Sequence, residues 1–145
     1  MKQVNIYTAS TIKGPRRRSG RIGYVLEYIP EHGDKATAGK IEPVEDMTEQ
    51  QAALTVINHA LKRITGECEI HVFTECDAIL NAFKTYLPKW QENGWKNAKG
   101  ESIKNDSEWQ EMTELLNARQ CELVKGVHEY RKWLLAEIER GNEHV

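Results

Sequence analysis

Two stretches of this chain carry the residue types that grip a polyanion. Arg16, Arg17 and Arg18 fall in a loop marked by Gly14, Pro15 and Gly20. Three adjacent guanidinium groups can hold several phosphates, or can simply stay solvated. Further on, Trp90, Trp95, Lys96, Lys99 and Lys104 interleave aromatic rings with ammonium groups. That mixture suits a nucleic-acid backbone with sugars or bases stacked beside it; the alternative is that both tryptophans pack between the helices they join. Glu75 ends the run EIHVFTE. A carboxylate at the end of a central strand lies where open α/β sheets place their sites, and it can equally cap the helix that follows. Glu49, three residues after Asp46, reads as half of a capping box. The first strand pattern, VNIYTAS, ends on Ala9 between two hydroxyls, with no group there able to do chemistry. His128, alone at the start of the last helical pattern, reads as a solvated residue.

The bulk numbers narrow the class. A chain of 145 residues with 39% hydrophobic and 29% charged side chains has a globular composition, enough for one domain over residues 1–145. No apolar run approaches the ~20 residues of a membrane span, and Lys2 leads directly into a strand with no signal-peptide core. A cytoplasmic location is therefore expected. Cys68, Cys76 and Cys121 are odd in number and have no ligand-like spacing, so they read as buried thiols rather than a disulfide framework or a zinc site. A net charge of −2 gives no global attraction to nucleic acid, so binding would need local patches.

Several elements must position these groups. Strands are expected at Val4–Ser10, Ile22–Ile29 and Lys35–Ile41, joined by short turns as an antiparallel meander. A helix over Met47–Ile64 carries Leu54, Ile57, Leu61 and Ile64 on one face, with Gly66 as its stop. Strand Glu69–Thr74, helix Asp77–Leu87, an irregular connection Pro88–Ile103 and a helix capped by Asn105 or Asp106 follow. Strand Cys121–Lys125 and helix His128–Arg140, with Tyr130, Trp133, Leu134 and Ile138 inward, end the chain. Strand–helix–strand crossovers make parallel neighbours. The expected fold is α/β, a mixed five-stranded sheet with strands 1–3 antiparallel, the rest parallel, and helices on its faces.

The order and several segments resemble the ribonuclease H family over nearly the whole chain. The most specific is LPKWQENGWKNAKGESIKNDSEWQEMTELL (residues 87–116), similar to that family's Lys/Trp-rich protrusion and Gly-Trp-Lys turn. TEQQAAL, VFTECDAIL and LVKG resemble its helix start, its Thr-Asp-Ser strand end and its Trp-Val-Lys-Gly strand. Divergent ribonuclease H-like proteins of bacterial mobile elements look most alike. The resemblance implies four carboxylates, Asp-Glu-Asp-Asp, holding two Mg²⁺ or Mn²⁺ ions ~4 Å apart to cut the RNA strand of an RNA–DNA hybrid.

Carried over one position at a time, that set is incomplete. The first Asp falls on Thr8-Ala9-Ser10, one residue shorter than the family's turn. The second falls on Glu49, the third on Glu75, and the fourth near Leu135. Glu49 and Glu75 are thus the implied catalytic and metal-holding residues. Asp77, Glu129 or Glu137, or Ser10 through a water, are the groups available to replace what is lost. Gln91-Glu92-Asn93 and Glu45-Asp46-Met47 stand where the family has residues that contact the hybrid. The expected protein is a ribonuclease H-like binder of an RNA–DNA hybrid or related duplex, with a degraded metal site that holds Mg²⁺ or Mn²⁺ weakly or not at all. Two alternatives are an active divergent nuclease and a non-catalytic scaffold for a protein partner or a second copy.

Overall fold

A computed structural model describes residues 2–116, 119–126 and 129–140. Three strands open the chain: β1 (Gln3–Ser10), β2 (Arg18–Ile29) and β3 (Ala36–Met47). Helix α1 (Glu49–Leu61), strand β4 (Glu69–Thr74), helices α2 (Asp77–Thr85), α3 (Leu87–Glu92) and α4 (Asp106–Leu116), strand β5 (Cys121–Lys125) and helix α5 (Arg131–Arg140) follow. The sheet order is β3-β2-β1-β4-β5. β1–β2 and β2–β3 pair antiparallel, and β1–β4 and β4–β5 pair parallel. This is the expected mixed sheet, and His128 lies outside the described residues.

The two faces differ in weight. Val4, Ile6, Ile22, Ile70 and Val72 join Leu54, Ile57, Leu61, Trp109 and Met112 in the main core beneath α1 and α4. The opposite face holds a smaller cluster of Tyr7, Ala9, Val25, Ile41, Leu134 and Ile138 under α5. There Gly23, paired with Ala9, lets α5 approach. A Cβ at Gly23 would lie 3.2 Å from Leu134 and 3.3 Å from Ile138.

Some boundaries differ from expectation. β3 continues through Pro43 to Met47 because it is the sheet edge, where a residue without an N–H costs no ladder bond. Thr48, not Asp46, caps α1, its hydroxyl accepting from Gln51 N at 3.2 Å. Asp46 instead adopts a left-handed φ of 54°. The connection Pro88–Ile103 is partly helical, since Pro88 in the first turn of α3 gives up no needed donor. Trp133 is not inward: it is 45% exposed, while Leu134 and Ile138 are fully buried. Cys68 and Cys76 are buried free thiols and Cys121 is half-buried.

Candidate functional site

The parallel pair β1–β4 and the starts of α1 and α2 meet at one end of the sheet. Thr8 Oγ1 donates to Phe73 O at 2.7 Å and ties the two strand ends together. Beyond β4, the buried Thr74 side chain accepts from Cys76 N at 3.3 Å, bending the chain into α2 and leaving Glu75 at the turn. A cleft of about 360 Å³ opens here, lined by Gly14, Glu49, Glu75, Asp77 and Lys104 among others. A recess of about 20 Å³ lies among Ala9, Ser10, Lys13, Glu49 and Glu75, room for roughly one water.

The structure thus brings Glu49 and Glu75 to one cleft, as the resemblance implied. Neither carboxylate does the job that local sequence suggested. Glu49 Oε1 accepts from Gly14 N at 2.8 Å, and Glu49 N donates to Gly14 O at 3.3 Å, so the carboxylate clamps a loop rather than closing a capping box. Gly14 has φ +86°, a conformation that favours glycine, and it carries the chain from Lys13 toward the arginines. Glu75 does not cap α2, whose Cys76 N-cap makes no side-chain bond. Its Oε1 accepts from Arg131 Nε at 2.8 Å.

The substitutes are dispersed. Asp77 reaches the cleft but pairs with Lys125 at 2.8 Å, both ends well exposed. Ser10 Oγ accepts from Ile12 N at 3.0 Å. Glu137 is buried on α5 and pairs with Arg140, and Glu129 is exposed in the turn before α5. Ala9 is 6% exposed, and Leu135 packs against the same apolar cluster. Among the described residues no group of three or more His, Cys, Asp or Glu is placed to hold a metal ion.

Cations edge the cleft. Lys104 lines it, Lys13 borders the adjoining recess, and Arg16 and Arg18 are exposed in and after the same loop as Lys13. Arg17 is partly committed, donating to Asp46 O at 2.8 Å and to Gln51 Oε1 at 3.4 Å. The tryptophans are half-buried pins of the protrusion. Trp90 stacks on Tyr86 with ring centroids 5.8 Å apart and meets Trp109 edge-on at 5.7 Å. Trp95 N donates to Trp90 O, and its O accepts from Ile103 N, closing the loop that presents the exposed Lys96 and Lys99. Tyr86, 45% exposed, is the aromatic left open beside them.

Sequence reasoning missed Arg131, because the region was searched only for a carboxylate. A cation four residues before Leu135, the position near which the resemblance puts the fourth carboxylate, was the available signal. It also missed the polar network beneath. Glu27, 4% exposed at its side chain, accepts from Asn5 Nδ2 (3.0 Å), Tyr7 OH (3.1 Å), Tyr130 OH (2.9 Å) and Lys35 Nζ (3.3 Å). Burial pushes the Glu27 carboxyl up, but these four donors outweigh it and hold the group below its ordinary range. The same contacts raise the phenols: burial first, then the Glu27 charge, pushes Tyr130 up to about 12, and Tyr7 rises further.

Comparison with known proteins agrees with this architecture. A family model described as RNase H matches residues 1–129. A Ribonuclease H of Syntrophomonas wolfei is 38% identical over 137 residues, spanning 92% of this chain and 89% of that protein. A Ribonuclease H of Acetivibrio thermocellus is 30% identical over 126 residues, spanning 86% and 82%. Among solved structures, LC9-RNase H1, described as a type 1 RNase H with the type 2 active-site motif, matches with TM-score 0.74 at 20% identity, covering 100% of this chain and 77% of that one. A foamy viral protease-reverse transcriptase in complex with RNA/DNA hybrid matches with TM-score 0.60 at 22% identity, over 86% of this chain and 17% of that one. At such identities the structural matches speak for the fold.

Proposed function

Since the chain belongs to the ribonuclease H family, we infer that it binds an RNA–DNA hybrid or related duplex across this cleft with little or no hydrolysis. One observation carries the reading: Glu49 and Glu75, the two carboxylates at the positions the resemblance marks as metal-holding, are engaged by the chain's own donors, Gly14 N and Arg131 Nε. Two-metal hydrolysis needs carboxylates free to neutralise two divalent charges. The donors present here do not fit that set. Ala9 brings no side-chain oxygen, the recess beside it has room for about one water, and Asp77 is turned to Lys125. Lys13, Arg16, Arg18 and Lys104 remain as phosphate contacts, which position a duplex without reading its sequence.

Fluorescence anisotropy with a labelled RNA–DNA hybrid, duplex DNA and duplex RNA tests the binding. Salt-sensitive binding that favours the hybrid is expected; no binding to any of the three at low salt would overturn the reading. A second reading, an active divergent nuclease, is favoured by the Syntrophomonas relative being a Ribonuclease H at 38% identity. Mn²⁺-dependent cleavage of the hybrid, abolished by Glu75→Gln, would establish it.

A further inference from the structure

We propose that Arg131, tied to Glu75 at the edge of the cleft, takes the place of a divalent ion: its guanidinium binds a backbone phosphate directly, so that nucleic acid is held without metal. The inference rests on the reading that nucleic acid lies across this cleft.

Arg131 opens α5, and one of its five N–H groups, on Nε, goes to Glu75. The other four make no hydrogen bond to a described residue, and the side chain is 39% exposed. The guanidinium is therefore fixed at one end and open at the other. It is fixed on both sides of β1. Tyr130, the preceding residue, donates to Glu27 on β2, and its ring lies 4.9 Å from that of Tyr7. Arg131 itself is tied to Glu75, just past β4, and β2 and β4 are the two strands that flank β1. One and two turns later, Leu134 and Ile138 seat α5 on Gly23 and Ala9. A fork held this way loses little freedom on meeting a phosphate.

The charges point the same way. Two bare carboxylates would repel a phosphate, and a bound divalent ion is one way to reverse that. Here the Arg131 guanidinium offsets Glu75 and leaves its Nη edge for a bidentate contact. Lys13 and Lys104 add charge at the rim. A guanidinium neutralises phosphate, but it does not acidify a water, so the arrangement suits holding rather than cutting.

The test is a salt series of hybrid-binding titrations, in EDTA and in Mn²⁺, with the full chain and the variants R131Q, R131K and E75Q. Equal affinity in EDTA and Mn²⁺ is expected for the unaltered protein. R131Q should reduce the log–log salt slope by about one and weaken binding about tenfold near 0.1 M salt. R131K should keep the slope and lose part of the affinity, because an ammonium lacks the fork. E75Q should bind more tightly, since a negative charge that repels phosphate is gone while the amide oxygen can still accept from Arg131 Nε. Binding that requires Mn²⁺ and is lost in E75Q would overturn the proposal, as would an unchanged slope in R131Q. Should R131Q fail to fold, the direction of the E75Q change decides. Absence of binding in the unaltered protein overturns instead the functional reading beneath it.

Discussion

Putting a carboxylate back at the end of β1 is the sharpest perturbation of this cleft. Ala9 is 6% exposed, packs with Tyr7, Val25, Leu134 and Ile138, and borders the recess shared by Glu49 and Glu75. In Ala9→Asp the new group meets an apolar wall on one side and two carboxylates on the other. Both disfavour its charged form, and Arg131 is already committed to Glu75. A rise of ~3 pKa units is a reasonable figure for such a site, and at ~1.36 kcal/mol per unit it costs ~4 kcal/mol at neutral pH. That is a large share of the ~5–15 kcal/mol that holds a domain together. The sign follows from proton linkage. With the folded value raised, the native state keeps a proton that the unfolded chain has lost. The cost is therefore absent below about pH 4 and complete once pH exceeds the folded value near ~7. Urea unfolding of Ala9→Asp against the unaltered protein, at about pH 4 and pH 7.5, with and without Mn²⁺, measures it. A variant within ~0.5 kcal/mol of the parent at the higher pH would refute the packing argument. Full recovery by Mn²⁺ would refute the claim that the cleft is not arranged for an ion.

Two further outcomes check the supports of the site. Thr48→Ala should cost ~1 kcal/mol through loss of the α1 cap, whereas Asp46→Asn, exposed and outside the cap, should stay within ~0.5 kcal/mol by chemical denaturation. Glu27, held below its ordinary value, stabilises the fold above that value and ceases to as pH falls through the folded one. Acid unfolding should therefore lose part of its pH dependence in Glu27→Gln, and Tyr130→Phe should cost ~1.5–3 kcal/mol for a hydrogen bond to a charged group.

What could be read from the chain alone was what repeats locally. Val4 and Ile6 of the β1 run and the helical stripe of Leu54, Ile57 and Leu61 face the main core, while Tyr7 and Ala9 of β1 turn to the other face. Edge effects were hidden. Pro43 looks like a strand breaker until β3 is known to be the sheet edge, and Asp46 looks like a cap until its left-handed backbone hands that role to Thr48. The site was half legible for a related reason. Glu49 and Glu75 stand at element boundaries that sequence patterns mark, and the family resemblance implied their meeting. Their partners could not be foreseen: Gly14 lies 35 residues from Glu49 across the β2–β3 meander, and Arg131 lies 56 from Glu75 across the later helices and β5. Ala9 and Leu135 could be seen to lack carboxylates, but not to share one apolar cluster.

The most direct measurement follows the RNA strand itself. End-labelled hybrid is saturated with the protein, as verified by anisotropy, incubated with Mg²⁺ or Mn²⁺, and run on a denaturing gel. Intact RNA recovered from a fully bound complex is the predicted result. Cleavage that scales with bound protein and disappears in Glu75→Gln would contradict the account.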